Sequence, residues 1–246
     1  GRHNVGKSTL INALAGEKLL IVSPKPQTTR DRIRVILTTD RAQMIFYDTP
    51  GIHKPLHKLG EQMNKTALNT LKLVDVVLWL VDATQPAGKG DAWVAEALKK
   101  SRQPVIVAFN KCDLKPVSTP EEFLVRVEAP AWPWLKISAL TGEGLNQLLA
   151  ELEAKAPPGP RYYPEEMITD RPESFLISEY IREAVLSKAE EEIPHSTAVL
   201  MEEMKERPNG KIYIRASILV EKDSQKKIVI GREGHLLKAI GQQARA

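Results

Sequence analysis

The sequence holds a single cysteine, Cys112, among 246 residues. A lone thiol excludes a disulfide framework and fits a reducing compartment. Long apolar runs are missing too. None approaches the roughly 18 residues that a membrane-crossing helix needs, and no signal-peptide pattern is visible. No internal repeat or low-complexity tract is present. Acidic residues are scarce in one place: residues 211–246 hold 3 of them against 8 basic side chains, whereas residues 161–210 hold 12 against 6. The positive charge gathered near the end suits a local anionic partner better than a uniformly sticky surface. What remains is an ordinary globular composition, 42% apolar and 27% charged with a net charge of +4, expected to be soluble and intracellular.

Residues 1–156 alternate apolar strand-like runs with amphipathic stretches. "RIRVILTT" and "QMIFYD" read as paired strands, and "DVVLWLVDA" and "PVIVAFNKCD" as strands covered on both faces. "STLINALAG", "EQMNKTALNTLKL", "GKGDAWVAEALKKS" and "GEGLNQLLAELEAK" carry helical periodicity. The alternation predicts an α/β domain with a mostly parallel sheet and helices on both faces. Prolines in "APPGPRYYP" stop the last of these helices and open a linker over 157–172. Residues 173–246 then read as a smaller α+β domain. In it a helix presents Phe175, Leu176, Tyr180, Ile181, Ala184 and Val185 on one face, a hairpin turns at "PNG", and a last helix starts at His235.

The chemistry opens at "GRHNVGKST", which satisfies G-x-x-x-x-G-K-[ST] with Gly1, Gly6, Lys7 and Ser8. Such glycines let backbone N–H groups from Asn4 to Thr9 converge on phosphates, and the following helix adds its positive N-terminal end. Lys7 would neutralise β/γ oxygens and the Ser8 hydroxyl would ligate Mg²⁺. "DTPG" supplies Asp48 for Mg²⁺ and the Gly51 N–H for a γ-phosphate. "NKCD" places Asn110, Lys111 and Asp113 at a strand's C-terminal end, where α/β folds bind ligands. A carboxylate at Asp113 can accept both N1–H and the exocyclic amine of guanine, a donor pair adenine lacks. "SAL", Ser138 to Leu140, would add backbone N–H groups for the guanine oxygen.

Together with "PKPQTTRDR" ahead of "DTPGIH", these motifs resemble the Era family of small GTPases. The resemblance implies a P-loop GTPase domain and hydrolysis of GTP to GDP with Mg²⁺, with Lys7, Thr29 and Gly51 in the catalytic set. It implies nucleotide contacts from Asn4, Val5, Gly6, Lys7, Ser8, Thr9, Asp48, Gly51, Asn110, Lys111, Asp113, Ser138, Ala139 and Leu140. Ser8, Thr29 and Asp48 are the implied metal ligands, with Thr28 as the alternative switch threonine. Two switch segments are expected near 20–32 and 50–60. Ile52 stands where Ras-like enzymes carry a water-orienting glutamine, which implies slow intrinsic turnover. Asn4 is read either as a K⁺ ligand near the phosphates or as a loop residue bonding its own backbone. His53, near Lys54 and His57, reads as part of an exposed basic loop, and His3 replaces the family's usual proline.

In the second part "IVIGREGHLLKAIG" matches the G-x-x-G loop of a KH domain, with Gly231, Arg232, Glu233 and Gly234 ahead of a helix. In the family this order, GTPase then type II KH domain, implies single-stranded RNA near the 3′ end of 16S ribosomal RNA and a role in small ribosomal subunit assembly. Arg232, Lys226, Lys227 and Lys238 are the candidate phosphate contacts, and with Arg245 they offset Glu233, which departs from the G-K-G-G loop common in the family. Both chain ends read as incomplete against these folds. A monomer is expected, cytoplasmic with peripheral association at the inner face of the cell membrane. Two other readings stay open: an RNA-binding module whose GTP site is only a regulatory switch, and another KH-tailed GTPase of ribosome assembly.

Overall fold

The structure is a computed structural model, described here over residues 1–25, 28–30, 32–51, 58–189 and 197–245. The chain folds as two compact units, Gly1–Lys18 with Thr29–Asp170, and Leu19–Thr28 with Arg171–Ala246.

In the first unit, α1 (Lys7–Ala15) is followed by β1 (Ile33–Thr38) and β2 (Gln43–Asp48). These two strands pair antiparallel, from Ile33 opposite Asp48 to Thr38 opposite Gln43. Then come α2 (Lys58–Thr70), β3 (Val77–Asp82), α3 (Lys89–Lys99), β4 (Val105–Asn110), α4 (Pro120–Arg126), β5 (Trp134–Lys136) and α5 (Leu145–Lys155). Strands β3, β4 and β5 form a parallel sheet with β4 in the middle. Every residue of β4 is buried, as its unbroken apolar run predicts for a strand covered on both faces. Alternate residues serve two cores. Trp79, Val81, Val107 and Phe109 pack with Ala67 of α2, Val94 and Leu98 of α3, and Phe123 of α4. Leu80, Ile106 and Ala108 pack with Leu10 of α1 and with Leu145, Leu148 and Leu152 of α5. The period-2 alternation of the strands thus delivers the expected helices on both faces.

Among the described residues the β1–β2 hairpin is not hydrogen-bonded to the parallel sheet. The stretch expected as a linker is fixed to the hairpin. The Ile36 N–H donates to the Ile168 carbonyl at 2.8 Å, the Thr169 hydroxyl to the Arg34 carbonyl at 2.8 Å, and the Tyr162 and Tyr163 N–H groups to Gln43 Oε1. The periodicity above does not single out α4, but its start signal is in the sequence. Pro120 sits in the first turn, the Thr119 hydroxyl accepts from the Glu122 N–H, and Glu122 accepts from the Thr119 N–H.

The second unit consists of α6 (Glu173–Lys188), the hairpin β6 (Thr197–Glu206) and β7 (Ile212–Val220), α7 (Asp223–Ile230) and α8 (His235–Gln243), together with Leu19–Thr28. The hairpin turns through Asn209 and Gly210 and carries a register shift between Met201 and Glu203. Its core gathers Ala184, Val185, Val229 and Ile240. On α6 the expected apolar face is only partly right. Ala184 and Val185 are buried, but so are Leu186 and Arg182, while Phe175, Leu176, Tyr180 and Ile181 are half-buried. The reason is a second covering on this helix. Arg182 pairs with Glu179 and donates to the Thr28 carbonyl at 2.6 Å, and Glu183 accepts the Val22 N–H at 2.8 Å. A paired guanidinium can therefore take a core position.

Candidate functional site

Strand ends and helix starts of the first unit converge around the phosphate loop. The turn enters α1 through Gly6, whose φ of 92° lies in the left-handed region, and a Cβ there would fall 2.3 Å from Asn110 Nδ2. Only glycine fits that approach. Asn4 also has positive φ, 54°. Lys7 Nζ donates to the Arg2 carbonyl at 2.7 Å. Gly51 is buried against the same stretch, since a Cβ on it would lie 2.7 Å from His3 Nδ1 and 3.1 Å from the Arg2 carbonyl carbon. Ile52, His53, Lys54 and His57 lie outside the described residues.

The three expected metal ligands meet at one point. Ser8 Oγ donates to Asp48 Oδ2 at 2.8 Å, Thr29 Oγ1 donates to the same oxygen at 3.0 Å, and the two hydroxyl oxygens are 3.2 Å apart. Thr28 points elsewhere, its hydroxyl donating to the Lys25 carbonyl at 2.7 Å. Asp48 is 1% exposed, and its Oδ1 has no hydrogen-bond partner among the described residues. Burial pushes its carboxyl up, opposed by Lys7 and by hydrogen bonds from Ser8, Thr29 and Thr49. Burial likewise pushes the Lys7 ammonium down, opposed by Asp48. Two ionisable groups are thus held in a desolvated pocket, one keeping an unused acceptor. Hard oxygen donors with an orphaned carboxylate oxygen suit Mg²⁺. No cluster of three His, Cys, Asp or Glu able to hold a metal exists among the described residues.

The base-side residues are stitched to the phosphate loop by Asn110, which is 2% exposed. Its Nδ2 donates to the Val5 carbonyl at 2.8 Å, and its Oδ1 accepts the Ala139 N–H at 2.8 Å. One amide therefore ties together the loops carrying three separate motifs. Asp113 Oδ1 accepts from Ser138 Oγ at 2.5 Å, and Ser138 is fully buried. Lys111, with φ 69°, reaches Asp82 Oδ2 at 2.5 Å. Burial raises the Asp82 carboxyl, but the hydrogen bonds from Lys111 and Thr84 outweigh it and hold the group below its ordinary value. Leu140 is 79% exposed at the rim. Cys112, between Lys111 and Asp113, has its thiol pushed up by burial and by Glu143 and Asp113.

In the second unit, α7 ends at Gly231 (φ 73°, ψ 174°), a short 3₁₀ turn spans Arg232–Gly234, and α8 begins at His235. A Cβ on Gly231 would lie 2.7 Å from Leu236 Cβ. Glu233 also adopts positive φ, 53°. Arg232, Glu233, Lys226, Lys227 and Lys238 are all exposed, and Ile228, Ile230 and Leu237 expose apolar surface on the same two helices. This is a turn whose backbone is open to approach, flanked by cations and by apolar side chains.

Family models match both parts of the chain. A family model described as 50S ribosome-binding GTPase matches residues 1–111, and a KH domain model matches residues 192–246. GTPase Era of Thermosipho melanesiensis is 50% identical over 248 residues, covering all of this chain and 83% of that protein. The chain belongs to the Era family of GTPases. Era of Thermotoga maritima is likewise 50% identical over 252 residues, covering all of this chain and 83% of its own. A crystal structure of Era in complex with MgGDPNP and nucleotides 1506–1542 of 16S ribosomal RNA superimposes with a TM-score of 0.90 at 37% identity, over all of this chain and 84% of the other. A variant of Aquifex aeolicus Era bound to GDP and AlF₄⁻ gives 0.91 at 37% identity, over all of this chain and 85% of that one.

For an Era GTPase, the motifs leave three supporting contacts unread. Asp82 steadies Lys111, the Ser138 hydroxyl holds Asp113, and Asn110 Oδ1 accepts the Ala139 N–H. Asp82 ends the strand paired in register with β4, directly opposite Asn110. A carboxylate one strand away from "NKCD" is the signal by which it could have been found.

Proposed function

We propose that this chain binds GTP and hydrolyses it with Mg²⁺ in its first unit, and binds the 3′ region of 16S ribosomal RNA through Gly231, Arg232, Glu233 and Gly234 in its second. It acts in small ribosomal subunit assembly. GTPase function is assigned to residues 1–156 and RNA binding to 173–246, joined by 157–172. The observation that carries the reading is the meeting of Ser8, Thr29 and Asp48 oxygens within 3.2 Å beside Lys7. Mg²⁺ held there would supply charge neutralisation at the phosphates.

The protein's own groups do the rest. Ser8, Thr29 and Asp48 would hold the ion, and Asp48 Oδ1 is a buried acceptor without a hydrogen-bond partner among the described residues. Backbone N–H groups from Asn4 to Thr9 and the Lys7 ammonium take the phosphates, and the Gly51 N–H faces the γ-phosphate. Asp113, fixed by Ser138 Oγ, accepts the two guanine donors, with Asn110, Lys111, Ala139 and Leu140 framing the base. Lys226, Lys227 and Lys238 supply the cations for the RNA backbone. Asn4 provides a K⁺ position that would aid turnover where Ile52 offers no polar atom.

Single-turnover GTP hydrolysis, with and without a 3′-terminal 16S fragment and in K⁺ or Na⁺, tests these points. Turnover that rises with K⁺ and with RNA is expected, and equal rates in the two cations remove the K⁺ role. Because Ile52 cannot orient water, the competing reading is a GTP-switched RNA binder, which absence of turnover in every condition would establish. RNA crosslinks that avoid Gly231–Gly234 in both GTP and GDP would overturn the RNA site. Among the described residues no helix is long and apolar enough to cross a membrane. The proposed peripheral association at the inner face of the cell membrane is checked by vesicle flotation, and the proposed monomer by light scattering.

A further inference from the structure

One ion pair links the start of the phosphate loop to a helix that touches no phosphate. Arg2 Nη1 lies 2.9 Å from Asp91 Oδ2. Asp91 is 4% exposed, and the same oxygen accepts the Gly88 N–H at 3.0 Å. A single carboxylate therefore caps α3 and holds the guanidinium. The backbone leaves room for that arrangement. A Cβ on Gly90 would lie 3.2 Å from Arg2 Nε, and one on Gly88 3.8 Å from Arg2 Nη1. The positive end of a helix disfavours a cation, so Asp91 is what makes the position of Arg2 tenable.

Arg2 is half-exposed on its outer side, and such pairs contribute little to stability. Its geometry matters more. The Arg2 carbonyl accepts the Lys7 ammonium, and the Arg2–His3 backbone is the wall against which Gly51 rests. Lys7 and Gly51 are the two groups that meet the γ-phosphate in the reading above.

We propose that Asp91 is a positioning residue for GTP hydrolysis: through Arg2 it fixes the wall that sets Lys7 and Gly51 against the γ-phosphate. The proposal rests on the GTP-hydrolysing reading of the site. Small displacements of charge-stabilising groups cost rate rather than folding. GDP has no γ-phosphate and keeps only the β-phosphate contact of Lys7, so the effect falls more heavily on turnover than on GDP binding.

The test uses the full chain and four variants: Asp91→Asn, which keeps an acceptor for the Gly88 N–H, Arg2→Ala, Arg2→Lys, and the double Arg2→Ala/Asp91→Asn. Single-turnover hydrolysis, GDP affinity and melting temperature are measured for each. Asp91→Asn and Arg2→Ala should each slow hydrolysis on the order of tenfold, with GDP affinity within about twofold, and Arg2→Lys should recover part of the rate. The double variant should be no slower than the worse single one, as expected for residues acting as a pair. Unchanged hydrolysis in the single variants, additive losses, or a fall in GDP affinity matching the fall in rate overturns the proposal. Absence of hydrolysis in the unmodified chain overturns the GTPase reading itself, and the proposal with it.

Discussion

Asn110 donates its side-chain amide to the Val5 carbonyl at 2.8 Å, joining residues 105 apart in the chain, while its oxygen accepts the Ala139 N–H. Replacing it with alanine leaves a buried carbonyl and a buried N–H without partners, each a cost of about 1–3 kcal/mol. Asn110→Ala should therefore lower thermal stability and weaken GDP binding by at least roughly tenfold. Calorimetry with and without GDP measures both. A variant that melts normally yet binds GDP as tightly as the parent would show that the amide does not organise the site.

Asp113 is the group that distinguishes guanine from other bases in the reading above, and Ser138 Oγ fixes it from a fully buried position. Changing Asp113 to asparagine turns an acceptor of two donors into a group that can itself donate. GTP affinity should fall on the order of a hundredfold and xanthosine triphosphate should gain, because mismatched hydrogen-bonding edges leave buried groups unpaired. Competition titrations with both nucleotides read the change directly. A GTP preference that survives Asp113→Asn refutes the assignment.

Asp82 contributes a pH-dependent element. Its folded-state carboxyl lies below the ordinary value of 3.8, so its contribution to stability is present above that value and is lost as pH falls through the lower, folded value. Lys111, its partner at 2.5 Å, is about one-third exposed, so solvent screening keeps the term small. Asp82→Asn should cost at most about 1 kcal/mol at pH 7, and the difference should close as the pH is lowered below 3.8. Melting curves at pH 7 and under acid conditions check the sign. A gap that widens in acid contradicts it.

These residues show which parts of the molecule can be read from the sequence. The strands β3 and β4 announce themselves through uninterrupted apolar runs, and "GKS", "DTPG" and "NKCD" fall at helix starts and strand ends because ligand-binding loops need those positions. The parts that escaped depend on registration between distant segments. Asp82 lies beside Asn110 only because β3 and β4 pair in register from Val77 and Val105 onward. Arg182 is not part of the apolar face expected for α6, yet it is buried because Glu179 and the Thr28 carbonyl satisfy it. Helix α7 was not anticipated because its stretch mixes two lysines with an apolar run and buries only Val229.

The turn Gly231–Gly234 permits two opposite changes. Gly231 holds φ 73° and ψ 174°, a conformation that side chains disfavour by about 1–3 kcal/mol, and a Cβ there would also press on Leu236 at 2.7 Å. Gly231→Ala should weaken binding of a 3′-terminal 16S fragment by roughly tenfold or more while leaving GTP hydrolysis without RNA unchanged. Glu233 is 78% exposed at the centre of the same turn and places a negative charge where phosphates approach. Glu233→Lys should therefore tighten RNA binding and steepen its dependence on salt by about 0.7 in the log–log slope for each added phosphate contact. Titrations across a salt series separate the two effects, because backbone distortion shifts affinity at every salt concentration and an added charge changes the slope. If the lysine variant binds no more tightly at low salt, the RNA backbone does not pass over this turn.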